Sequence, residues 1–123
     1  MAECLSLPAT TLPRCLVIDP DHEFAGILAR IIAAHGFETK IIGEPFAGLR
    51  ELRANTYDLV LFDLSSQDGD AGFVLDELRR DMPQVLDQIL VVTTNPLVAS
   101  AVPVGVPVVG KSDLLPLMRY LTD

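Results

Sequence analysis

The sequence predicts an α/β fold, a three-layer sandwich in which helices cover both faces of a five-stranded parallel sheet. Three observations carry that expectation. Short runs of Val, Ile and Leu of strand length alternate with segments whose apolar residues recur at helical spacing. The runs lack polar alternation, as strands covered on both faces require. Each run closes at or just before a polar residue: Asp19, Asp63, Thr93 or Lys111. The length of 123 residues suits one domain. A chain of that size buries roughly two-thirds of its unfolded surface, so a core can hold it without disulfides or metal.

Residues 1–13 carry Pro8 and Pro13 with several Ser and Thr and no period, so they are expected to be a flexible leader to a domain spanning 14–123. The first strand is Cys15, Leu16, Val17 and Ile18, ended by Asp19-Pro20-Asp21. Phe24, Ile27, Leu28, Ile31 and Ile32 then form one helix face, and Gly36 stands where a C-terminal cap belongs. Residues 37–42 read as the second strand and 45–54 as the second helix, with Phe46, Leu49 and Leu52 on one side. The third strand is 58–62, ending in Asp63. The third helix carries Phe73, Val74, Leu75 and Leu78 and must stop near Met82-Pro83. Residues 89–93 are the fourth strand. Between 94 and 107, Pro96, Pro103, Pro107 and Gly105 leave room for a short helix around 97–101. The fifth strand is 106–109, and Ser112 or Asp113 caps a last helix bearing Leu114, Leu117, Met118 and Leu121.

Charge and cysteine content exclude several function classes. The formal net charge is -8, from 17 acidic and 9 basic residues, and no Lys/Arg cluster is present to neutralise phosphates. Direct nucleic-acid binding is therefore not expected. Cys4 and Cys15 lack the spacing of a metal site or redox pair, and so read as reduced thiols of a cytoplasmic protein. No apolar run is long enough for a membrane span, and no charged start leads into an apolar core as in a signal peptide.

In open parallel sheets the ligand site lies beyond the carboxyl ends of the strands. Here those ends gather Asp19 with Asp21, then Asp63, Thr93 with Thr94, and Lys111. Two carboxylates 4 Å apart repel by roughly 4 kcal/mol at an effective dielectric near 20, so three gathered aspartates require a cation or a raised pKa. Magnesium suits, since it takes oxygen ligands from one or two carboxylates together with phosphate oxygens. Lys111 and a Thr hydroxyl supply complementary groups for a phosphoryl oxygen. Each residue also has a plainer role. Asp19 before Pro20 makes an N-cap, Asp21 and Glu23 complement a helix dipole, Asp63 forms a turn, Thr93 is a strand residue and Lys111 a solvated surface lysine.

These segments, Leu16-Val17-Ile18-Asp19, Tyr57 through Leu64, Gly72-Phe73, Val91-Val92-Thr93-Thr94 and Val108-Val109-Gly110-Lys111, together resemble the receiver domain of two-component response regulators over residues 14–122. The resemblance implies a flavodoxin-like receiver fold with strand order 2-1-3-4-5. It implies a phosphorelay in which a histidine kinase or phosphotransfer protein donates a phosphoryl group to Asp63, with Mg2+ held by Asp19, Asp63 and the backbone carbonyl of Ser65. Thr93 and Lys111 would contact the phosphoryl oxygens, aided by the Thr94 N–H. Such a protein is not an enzyme in the usual sense, beyond its own phosphorylation and dephosphorylation.

The chain departs from the family pattern at several places. The second acid after the first strand, a metal contact in the family, is replaced by Pro20, with Asp21 one residue later as a substitute. Ser66-Gln67 stands for the usual Met-Pro pair, and the helix after the fourth strand is shortened. The aromatic three residues before the lysine is Val108, and Ser112 replaces the proline after it. The expectation is an atypical, stand-alone receiver that signals by contact with a downstream protein, or through a homodimer. The alternatives are a pseudo-receiver that binds its partners without phosphorylation and a small phosphohydrolase of the haloacid dehalogenase kind, in which Asp19-Pro20-Asp21 would be the nucleophile motif.

Overall fold

The computed structural model describes residues 11–64, 69–95 and 102–122. In chain order its elements are β1 (Arg14–Ile18), α1 (His22–Ala34), β2 (Glu38–Ile42), α2 (Pro45–Ala54), β3 (Leu59–Asp63), α3 (Asp70–Asp81), a 3-10 helix (Pro83–Gln88), β4 (Ile89–Thr93), β5 (Val108–Gly110) and α4 (Leu115–Thr122). The five strands form one parallel sheet in the order β2-β1-β3-β4-β5, as expected. No helix among the described residues is long and apolar enough to cross a membrane. Most of the expected leader, the short helix around 97–101 and the loop residues Ser65, Ser66 and Gln67 lie outside the described residues.

Successive side chains of a strand point to opposite faces. Leu16 and Ile18 of β1, Val60 and Phe62 of β3, and Ile89 and Val91 of β4 enter one core, under Leu49 and Leu52 of α2 and Val74, Leu75 and Leu78 of α3. The residues between them, Cys15, Val17, Leu59, Leu61, Leu90 and Val92, enter a second core under Ala25, Leu28 and Ile32 of α1 and Leu117 of α4. Both directions are covered, which is why these runs are unbroken in their apolar character. β2, at the sheet edge, is the exception: none of its residues is fully buried.

The helix boundaries follow from polar residues that periodicity does not weigh. α1 starts at His22, before its first apolar residue, because the Asp21 carboxylate accepts the Phe24 N–H at 3.1 Å and caps the end. It closes at Gly36, whose φ of 92° is a left-handed conformation that glycine adopts without penalty. Glu44 caps α2 by accepting from the Phe46 and Ala47 N–H groups, ahead of Pro45 in the first turn. Of the two residues expected to cap the last helix, Asp113 does so, its Oδ1 accepting from the Leu115 N–H.

Two expectations need correction. The fifth strand starts at Val108 rather than 106. Pro107 has no N–H to donate, and the Val106 N–H is spent on a turn to the Pro103 carbonyl. The sequence also gave no warning of the 3-10 helix after α3, where Pro83 opens a tight turn that brings Val85 and Leu86 against the first core.

Candidate functional site

Among the described residues, three polar or charged side chains are buried: Asp19, Asp63 and Thr93. All three stand at the carboxyl ends of central strands. Asp19 directly follows β1, Asp63 is the last residue of β3 and Thr93 the last of β4. Burying a carboxylate is costly unless it is paired and hydrogen-bonded. Their concentration at one sheet edge, against an otherwise apolar interior, distinguishes this edge from the rest of the molecule.

The partner is Lys111. It follows β5, and its backbone N–H donates to the Thr93 carbonyl at 2.7 Å, which fixes the root of the side chain beside β4. Its ammonium lies 2.9 Å from Asp19 Oδ2 and 3.5 Å from Asp63 Oδ1, with 9% of the lysine side chain exposed. The Asp19 contact is one of charge, since Oδ2 is buried without a partner in hydrogen-bond geometry. The other Asp19 oxygen, Oδ1, accepts the Asp21 N–H at 2.9 Å. Burial pushes the Asp19 carboxyl above its ordinary range, and the Asp63 charge adds to this, while the Asp21 N–H and the Lys111 ammonium pull the other way.

The remaining residues expected here fall into two groups. Thr93 is fully buried, and its hydroxyl accepts from the Asn95 N–H at 3.0 Å while donating to the Asn95 carbonyl at 3.2 Å. Thr94 is exposed beside it. Pro20 and Asp21 are exposed, and Asp21 serves as the cap of α1. Two aspartates therefore face the ammonium rather than three. Among the described residues, no group of three His, Cys, Asp or Glu side chains is placed to hold a metal ion. Val108 is half-buried in β5 and Ser112 is exposed after Lys111. Ser65 lies outside the described residues.

One member of this constellation escaped sequence reasoning. The Phe24 ring lies under the Lys111 ammonium, 4.6 Å from ring centre to nitrogen. Periodicity marks Phe24 only as part of the apolar face of α1, and nothing local links it to a lysine at the far end of the chain.

A cleft of about 470 Å³ opens at the opposite edge of the sheet, lined by Arg14, Arg53, Tyr57 and Gln84 among others. Its guanidinium groups are already engaged, Arg14 with Glu38 and the Tyr57 ring, and Arg53 with Glu77 and Asp81. The buried charges, which cost most to maintain, lie at the other edge, which makes that edge the candidate site.

No family model matches the sequence, and no curated protein is similar to it. Solved structures are similar. A sensor protein from Polaromonas sp. JS666 superposes with a TM-score of 0.76 at 24% identity, over 89% of this chain and 93% of that one. The receiver domain of the Francisella response regulator 1452 gives 0.74 at 17%, with the same coverage of both chains. A Thermotoga maritima response regulator, solved in complex with Mg2+ and BeF, gives 0.72 at 19%, over 89% of this chain and 96% of that one. These likenesses, together with the strand order β2-β1-β3-β4-β5, establish that this chain has the fold of a response-regulator receiver domain.

Proposed function

We propose that the chain is a receiver module of two-component signalling that takes a phosphoryl group on Asp63 from the phosphohistidine of a kinase or phosphotransfer protein. The observation that carries this reading is the pair of buried aspartates, Asp19 and Asp63, sharing the Lys111 ammonium at the carboxyl edge of the sheet. An Asp63 carboxylate oxygen attacks phosphorus, and the phosphorus–nitrogen bond of the donor breaks with its electron pair left on the imidazole. Lys111 meets the negative charge carried by the transferred group, and the Thr93 hydroxyl, turning from the Asn95 carbonyl, donates to one of its oxygens.

Mg2+ fits this donor set. The Asp19 Oδ2 atom is buried without a hydrogen bond and shares a cation with Asp63, and one or two carboxylates suffice for an ion that keeps several waters. Asp19, Asp63 and the Ser65 carbonyl would hold it, and it would neutralise charge on the phosphoryl oxygens. Asp21, a possible substitute for the acid replaced by Pro20, is committed to capping α1.

That commitment supports a second reading, a phosphorylation-independent module in which Lys111 is the resident cation. The phosphohydrolase reading is disfavoured, because one oxygen of Asp19 accepts an N–H and the other faces the ammonium. In either favoured reading the output is contact with a downstream protein or a second copy of the chain.

Incubation with acetyl phosphate, with and without Mg2+, followed by intact-mass measurement decides between them. The expected result is addition of one phosphoryl group in the presence of Mg2+ and none in Asp63→Asn. An unmodified wild type with no Mg2+ binding at millimolar concentration selects the second reading.

A further inference from the structure

We propose that Phe24 is a positioning residue of this site, its ring forming the third wall of a seat that holds the Lys111 ammonium over Asp19 and Asp63. A lysine head is a compact charge on a flexible four-carbon stem, and contact with two carboxylates leaves it free to slide from one to the other. The distances of 2.9 Å to Asp19 and 3.5 Å to Asp63 place it between them, and the aromatic face 4.6 Å away supplies attraction from a third direction. A cation within about 6 Å of a ring centre is drawn to its face, more strongly where water is excluded. Lys111 is 9% exposed, so this seat is close to dry.

The ring is itself tied to the site. The Phe24 N–H donates to Asp21 Oδ1 at 3.1 Å, and the Asp21 N–H donates to Asp19 Oδ1 at 2.9 Å. Asp19 thus contacts the ammonium directly and, through Asp21 and the first turn of α1, fixes the backbone that carries the ring beneath it. The departure of the sequence at Pro20 and Asp21 has a physical role in this arrangement: Asp21 is spent on placing Phe24. Phe24 is partly buried and packs against the second core, which limits how far the ring can turn away.

The consequence for phosphoryl transfer rests on the receiver reading, whereas the seat itself does not. Two variants separate the ring's charge-binding face from its bulk: Phe24→Leu keeps an apolar side chain without the aromatic face, and Phe24→Tyr keeps the face. Protons on the Lys111 side chain next to the ammonium should show an upfield ring-current shift in the wild type. The shift should vanish in Phe24→Leu and persist in Phe24→Tyr. The rate of Asp63 phosphorylation by acetyl phosphate with Mg2+ is expected to fall about fivefold in Phe24→Leu and to stay within about twofold of wild type in Phe24→Tyr. Unshifted Lys111 protons in the folded wild type overturn the seat. Equal rate losses in both variants overturn the positioning role in favour of packing. If the wild type takes up no phosphoryl group, the receiver reading fails, and the Lys111 proton shifts still decide whether the ring seats the ammonium.

Discussion

The Lys111 ammonium stands 2.9 Å from Asp19 Oδ2, with 9% and 1% of the two side chains exposed. Breaking a buried pair by removing one partner leaves an uncompensated charge and costs about 3–5 kcal/mol. Lys111→Met is expected to lose that much in urea unfolding, since the buried Asp19 carboxylate then loses the ammonium 2.9 Å from it. Adding Asp19→Asn to Lys111→Met should recover part of the loss, by removing one of the two like charges. A loss under about 1 kcal/mol in Lys111→Met would show that the carboxylates do not depend on the lysine.

Asp21 can be separated into its carboxylate charge and its capping oxygen. Asp21→Ala removes both and is expected to destabilise the fold by about 1 kcal/mol. Asp21→Asn keeps a good cap and should hold stability near wild type. Because Asp21 points to α1, Mg2+ affinity measured by calorimetry should be the same in Asp21→Asn as in wild type. A tenfold weakening there would return Asp21 to the metal.

α2 packs closely on β1 at Gly48. A Cβ on that residue would lie 2.5 Å from Ile18 Cδ1 and 3.0 Å from Ile18 Cγ1, and Ile18 is 1% exposed and has little room to yield. Gly48→Ala is therefore expected to cost about 1–3 kcal/mol through overpacking, despite the better helix propensity of alanine. Ile18→Val removes the nearest carbon, so the double variant should lose less than the sum of the two single losses. Strict additivity would place the cost elsewhere than in this contact.

Tyr57 gives a pH dependence at the opposite edge of the sheet. Burial first, and then the hydrogen bond its hydroxyl donates to Glu51 Oε2 at 2.5 Å, push its pKa from 10 to about 12. The same hydroxyl, with Lys40 and Asn55, holds the Glu51 carboxyl below its ordinary value. Between pH 10 and about 12 the folded state keeps a proton that the unfolded chain releases. The contribution is therefore complete below pH 10 and is lost as pH rises towards 12. Unfolding titrations of wild type and Tyr57→Phe should show a stability difference that shrinks by up to about 2 kcal/mol across this window. A difference independent of pH would contradict the raised pKa.

Much of the site was legible because each strand of this sheet announces its carboxyl end. Asp19, Asp63, Thr93 and Lys111 each stand at or just after the end of an apolar run, and a parallel sheet brings such ends to one edge. Asp21 was legible as a polar residue at that edge, but which of its two uses prevailed depended on the backbone. Asp19 and Asp21 each accept an N–H two or three residues on, but the N–H that Asp19 accepts belongs to Asp21, ahead of the helix, whereas Asp21 accepts that of Phe24 inside the first turn of α1. The start of β5 was misjudged because Val106 is apolar and buried like a strand residue, while its N–H is used in a turn.

By itself, the order of apolar runs and helical faces determined the α/β class, the parallel sheet and the edge at which Asp19, Asp63, Thr93 and Lys111 gather, because strands covered on both faces leave unbroken apolar runs that end in polar residues. The tertiary structure alone decided that two aspartates rather than three meet the ammonium, that Asp21 serves a helix end, and that the Phe24 ring completes the seat of Lys111. Those are relationships of distance and direction between segments remote in the chain, and a one-dimensional pattern reports which residues are polar or apolar without saying which of them touch.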